Sequence, residues 1–208
     1  MLFRSVTELY AEEPELSDIR ATQDVDCIIE ISSYMKLETL EEELRKLKFK
    51  HDTSEGAPIC RWTYNNIKVD VMPTHSDVMG FSNRWYPDGI KNKIEVGLPD
   101  GTNIYILSPE YYLATKFEAH QDRGGDDLRT SHDFEDIIYV LDNNGSVTDI
   151  VESCTNIELK RYLKEQCTLL TNNANIAESI DCMLPINSQE ERIHYIHGII
   201  KDISSVII

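Results

Sequence analysis

The sequence predicts a mixed α/β fold of the α+β kind. A small mixed sheet flanked by helices is expected over residues 1–145, followed by a helical C-terminal region over 146–208. Three observations predict it. Apolar-rich runs near 24–32, 59–64 and 67–72 have the length and alternation of strands. Leu37, Leu40, Leu44 and Leu47 recur at helical spacing between the first two runs. Beyond Thr148 the pattern is helical alone, over roughly 156–171, 174–182 and 188–203.

Taken in order, residues 2–11 predict a short helix ended by Pro14 and an acidic loop. The first strand covers 24–32, and Cys27-Ile28-Ile29 reads as its buried part. The leucine stripe of 37–47 is a core-facing helix with a solvated charged face. Asn65-Asn66 is a tight hairpin turn between the next two strands. Residues 74–92 read as irregular. Within them, Trp85 and Tyr86 could stack on a base, although core packing is the stronger reading. Strands at 94–96 and 104–107 flank the turn Pro99-Asp100-Gly101. Ser108-Pro109-Glu110 has the N-cap, first-turn proline and acid of a helix start, and that helix runs to about Gln121. A further helix over 132–142 stops at Asn143-Asn144-Gly145, with Phe134, Ile137, Ile138 and Leu141 as its buried stripe.

The formal net charge is −17 in 208 residues, with 41% hydrophobic content. That suffices for a core and argues against non-specific nucleic-acid binding, which needs clustered Lys and Arg. The five cysteines, at 27, 60, 154, 167 and 182, show no CxxC spacing and read as reduced thiols. His194 and His197 are three apart on a helix and lack a third ligand, so they read as surface groups. No signal peptide or membrane span is apparent, and the expected setting is cytoplasmic.

The chemistry concentrates in acidic residues carried on strands. Asp24 and Asp26 are two apart and project to one face. Asp70 shares its face with Lys68 and Met72, while Ile67, Val69 and Val71 fill the other. If these strands are neighbours, three carboxylates converge and repel. Mg²⁺ relieves that repulsion, because carboxylate oxygens are the ligands it prefers, and such ions can clamp a phosphoryl group.

With these pieces in order, the chain resembles the polymerase-β-like nucleotidyltransferase superfamily, in particular its AbiEii-type toxin members. Thr22-x-Asp24-x-Asp26 resembles the family's metal motif, and Ile67-Lys68-Val69-Asp70-Val71 its third-carboxylate strand. Leu107-Ser108-Pro109-Glu110-Tyr111-Tyr112-Leu113-Ala114-Thr115-Lys116 is similar to its serine-proline turn and lysine helix. Arg123 with Asp133-Phe134-Glu135-Asp136-Ile137 is similar to its later Arg…Asp-x-x-Asp segment. The resemblance covers about residues 20–142. It implies Mg²⁺- or Mn²⁺-dependent transfer of a nucleoside monophosphate from an NTP to an acceptor hydroxyl. Asp24, Asp26 and Asp70 are then the metal-binding and catalytic set, and Ser5, Thr22, Lys116, Arg123, Asp133 and Asp136 belong to the nucleotide site. The implied acceptor is RNA, particularly a tRNA end, or a protein side chain in a toxin–antitoxin setting with an antitoxin partner. An aminoglycoside-type small molecule is the second enzyme reading, favoured by the acidic chain.

The family's Gly-Gly or Gly-Ser pair is absent. No glycine precedes Gly56, and Ser5 is the small polar residue near the expected place. Either the pair is degenerate, or the chain begins downstream of it. A degenerate member that binds a nucleotide or a protein without turnover is therefore the non-enzyme alternative. Outside the resemblance, Lys116 reads as a surface lysine, Arg123 as a helix C-terminal arginine and Asp133 as a first-turn acid.

Overall fold

A computed structural model describes residues 3–4, 6–13, 21–22, 24–31, 33–123, 127–186, 188 and 190–208, with the backbone alone at 3–4 and 21–22. The fold is mixed α/β. Among the described residues it has a four-stranded mixed sheet, two two-stranded ribbons and a helical C-terminal region. The chain divides into two compact units: Met1–Val6 with Ile19–Lys93, and Thr7–Asp18 with Ile94–Ile208.

In the first unit, β1 (Phe3–Arg4) pairs antiparallel with β2 (Ala21–Thr22). β3 (Asp24–Ile29) enters the larger sheet and is followed by α1 (Tyr34–Lys46). Next come β4 (Lys50–His51), β5 (Arg61–Tyr64) and β6 (Ile67–Pro73), giving the order β3-β6-β5-β4. β3 and β6 are parallel, a pairing that requires a long connection, and α1 lies within it. Ser33 Oγ accepts the Lys36 N–H and so caps α1. Glu41–Arg45 and Glu43–Lys46 pairs line its wet face. Leu44 is buried with Trp62 and Val71, and Ile29, Leu40, Phe49 and Val69 pack against them. That cluster takes the apolar sides of β3, β5 and β6, so their polar sides all point the other way. Leu47 departs from the expected core stripe. It follows the last helical turn as the C-cap and is 62% exposed.

Asn65 and Asn66 both have positive φ, 49° and 67°, which is the geometry of a two-residue hairpin turn. The stretch expected to be irregular holds α2 (Ser76–Met79) and α3 (Tyr86–Lys91). Gly80, left-handed at φ 81°, ends α2, and a proline opens α3. Both helices are too short for periodicity to register in sequence. Trp85 is buried, with the Arg84 guanidinium over its ring at 4.8 Å, so it serves as a core anchor.

The helix expected over 2–11 is instead the strand β1 and a 3₁₀ turn at Val6–Tyr10. So short a segment cannot offset the cost of nucleating an α-helix, and tertiary contacts decide its form. The second unit continues with the ribbon of β7 (Ile94–Gly97) and β8 (Asn103–Ile106), then α4 (Pro109–Asp122) and α5 (His132–Asn143). α6 (Val147–Ser153), α7 (Ile157–Thr171), α8 (Ile176–Met183) and α9 (Glu190–Ser205) follow. α6 was not expected from sequence, since seven residues carry too little periodicity. Ser108 stands at the start of α4, but its side chain makes no capping bond. Ser131 and Asn156 do cap α5 and α7. Phe134, Ile137, Ile138 and Leu141 of α5 are fully buried, as are Leu113, Leu159, Leu163, Ile180, Ile196 and Ile200. Ile203 and Val206 close this core, while Ile207 stays exposed. No helix among the described residues is long and apolar enough to cross a membrane.

Candidate functional site

The register of the first unit decides which acidic groups meet. β3 and β6 are direct neighbours, with Asp24 opposite Lys68 and Asp26 opposite Asp70. In-register residues of parallel strands share a face. Asp24, Asp26, Lys68 and Asp70 therefore stand together on the side of the sheet away from α1. β5 adds Arg61, opposite Asp70, to the same face.

Arg61 organises this cluster. Its Nε donates to Asp70 Oδ1 at 2.7 Å and its Nη2 to Asp70 Oδ2 at 2.6 Å, a two-pronged bond. The same Nη2 reaches Asp24 Oδ2 at 3.2 Å. The side chains of Arg61 and Asp70 are only 16% and 12% exposed, whereas Asp24 is 41% exposed. Asp26 is exposed. The hydrogen bond to Asp70 raises the pKa of Arg61 further above the usual arginine range. Among the described residues, no three His, Cys, Asp or Glu side chains are grouped as a metal site.

The donor set nevertheless fits Mg²⁺ in its chemistry: hard carboxylate oxygens, two adjacent strands, one face. A monovalent cation, the guanidinium, already bridges two of the three. Thr22 lies in β2, with its backbone alone described, and Ser5 lies outside the described residues.

Farther along the same strands, at their carboxyl ends, Glu30, Thr74, His75, Pro87, Ile90 and Lys91 line a cavity of about 180 Å³. Thr74 Oγ1 is buried there without a hydrogen-bond partner.

The sequence matches no known family model, and no curated protein matches it.

The remaining candidate residues lie in the second unit and are brought together there. Lys116, on α4, places Nζ 2.6 Å from Asp136 Oδ2 and 3.5 Å from Asp133 Oδ1, both on α5. Asp133 and Asp136 are one helical turn apart and face α4. Arg123 Nη1 takes the other side of Asp133 at 2.5 Å, with most of its own side chain in water. Thr7 Oγ1 donates to Asp136 Oδ1 at 3.4 Å and lies 2.6 Å from the Tyr112 hydroxyl. The Tyr112 ring packs on Tyr10 at 4.5 Å, and Tyr10 donates to the Leu107 carbonyl. Burial works against the charge on Lys116. The Tyr112 oxygen, then the charge and hydrogen bond of Asp136, outweigh it and raise its pKa. Lys116 is thus a half-buried, firmly charged group held between two buried carboxylates rather than a free surface lysine.

Sequence reasoning missed two members of these clusters. Arg61 falls within the strand expected near 59–64 and Thr7 within the helix expected over 2–11, and neither stands out by residue type. The signal for Arg61 was present: a two-residue turn at Asn65-Asn66 sets Tyr64 opposite Ile67 and hence Arg61 opposite Asp70.

Proposed function

We propose that this protein is a Mg²⁺-dependent nucleotidyltransferase that moves a nucleoside monophosphate from an NTP to an acceptor hydroxyl. The observation that carries the reading is the parallel pairing of β3 and β6, which sets Asp24, Asp26 and Asp70 on one face of one sheet. Neighbouring strands with carboxylates in register are the framework that such a reaction needs. The opposite face is committed to packing, so the polar face is left for chemistry.

In this reading Asp24, Asp26 and Asp70 would hold the divalent cations, which would neutralise triphosphate charge. Asp70 accepts the proton of the acceptor hydroxyl at a carboxylate oxygen. The hydroxyl oxygen forms the bond to the α-phosphorus as the bond to the bridging oxygen breaks, and pyrophosphate leaves. Positioning and charge neutralisation supply most of the rate. Within the second unit by itself, Lys116 and Arg123 are cations of a kind that suits phosphate oxygens, and Asp133 and Asp136 orient them. The acceptor is an RNA or tRNA end, or a protein side chain, in a toxin–antitoxin setting. A cationic small molecule such as an aminoglycoside is the alternative acceptor.

A second reading draws on a specific observation. Arg61 already satisfies Asp70 and reaches Asp24, so a nucleotide- or protein-binding member without turnover is the competitor.

Label transfer from each α-labelled NTP separates the two, with Mg²⁺ and with tRNA, cell protein or an aminoglycoside panel as acceptor. Label in one acceptor class, lost in an Asp24→Asn/Asp26→Asn variant, is the expected result. Silence toward every acceptor from a folded protein, including a form extended at its N-terminus, would sink the catalytic reading.

A further inference from the structure

We propose, on the reading of Asp24, Asp26 and Asp70 as metal ligands, that Arg61 is an internal counter-cation. It holds Asp70 and Asp24 closed and has to release both carboxylates before a divalent cation binds between them. Three observations lead there. Arg61 meets both Asp70 oxygens at hydrogen-bond distance, leaving few of that carboxylate's lone pairs open. One nitrogen, Nη2, serves Asp70 and Asp24 together, so the guanidinium lies between side chains from two different strands. The pair is largely withdrawn from water, which makes its mutual attraction strong and its replacement selective.

The bridge solves a problem of the empty protein. Asp26 and Asp70 oppose each other in register, and Asp24 lies two residues away on the same face. Without a cation that repulsion would act across the β3–β6 pair at one edge of the sheet. Arg61 supplies a permanent one from within the chain. The cost appears on binding, because an incoming ion has to break two charge-assisted bonds before it gains its own. A guanidinium set free beside a triphosphate has a new bidentate partner in the phosphate oxygens. Metal and nucleotide therefore bind cooperatively, each raising the affinity for the other by the same factor.

The test is Mn²⁺ binding by calorimetry to the full chain, in wild type, Arg61→Gln and Arg61→Lys, with thermal unfolding of each. Arg61→Gln is expected to bind Mn²⁺ about tenfold more tightly than wild type, since the competing cation is gone. Arg61→Lys, which keeps the charge but not the fork, is expected to fall between them. Arg61→Gln should melt lower than wild type without metal and recover with Mn²⁺, and an added Asp70→Asn should abolish the tighter binding. Unchanged Mn²⁺ affinity in both Arg61 variants, with no thermal recovery, would overturn the proposal even if the wild type transfers nucleotide. Tighter binding by Arg61→Gln with no transfer to any acceptor would uphold the counter-cation and reject the transferase.

Discussion

Asp26 and Asp70 occupy opposed positions in the parallel register of β3 and β6, two carboxylates set side by side across one sheet. Like charges directly opposed destabilise a strand pair. A sheet that retains them trades stability for a charged face. Asp26→Asn is accordingly expected to shift the urea midpoint slightly upward at pH 7 without divalent cations. Nucleotide transfer by the same variant should fall at least about a hundredfold, as for loss of a group that stabilises transition-state charge. Urea unfolding and label transfer on one preparation check both halves.

Lys116 is the cation between Asp133 and Asp136. Lys116→Met leaves buried carboxylates short of a partner and should cost about 3–5 kcal/mol, the usual penalty for halving a buried ion pair. Adding Asp136→Leu should recover part of the loss, because the uncompensated charge is removed with it. A double-mutant cycle by chemical denaturation measures the coupling. Additive losses would mean that Lys116 and Asp136 do not act as a pair.

His120 makes its contact through Nδ1, 2.7 Å from Ser131 Oγ, the residue that caps α5. Burial pushes its imidazole below the ordinary histidine value, with Asp133 pulling less strongly the other way. The folded protein therefore binds fewer protons at this site than the unfolded chain just below the unfolded value of about 6.5. The contribution to stability is complete above that pH and is lost as pH falls through the folded value. Wild type should lose stability more steeply than His120→Gln between pH 7 and pH 5, as read by urea unfolding at each pH.

Thr74 lines the cavity at the carboxyl ends of β3 and β6, with its hydroxyl buried and unpartnered. Replacing it by valine removes that polar atom at nearly constant shape. The expected gain is about 1 kcal/mol, the lower end of the penalty for an unsatisfied buried group. A loss of stability in Thr74→Val would show that a polar occupant uses the hydroxyl in solution.

The sequence carries some of this plainly. The α5 stripe of Phe134, Ile137, Ile138 and Leu141 is spaced as a helix must be to bury one face, and all four are buried. The Asn65-Asn66 turn fixes the β5–β6 register, because a two-residue loop admits one pairing. The adjacency of β3 and β6 is different. Nothing local in either strand names its neighbour, and the pairing joins residues more than forty positions apart. The same holds for Asp133, whose place in the first turn of α5 has a sufficient local explanation in the helix dipole. Its burial against Lys116 and Arg123 depends on α4, which periodicity alone does not position.

Thr7, Tyr10 and Glu12 find partners at Tyr112, Asp136, Asn144 and Ser146, at separations of 105 to 134 residues along the chain. The ribosome delivers the first of these groups long before the last of their partners. At ordinary elongation speeds the interval is on the order of ten seconds. The sheet of β3 to β6 emerges whole within that interval, while the segment around Tyr10 is still without its partners. A nascent chain of this protein thus holds an early segment, residues 7–12, in waiting for hydrogen-bond partners that are made much later.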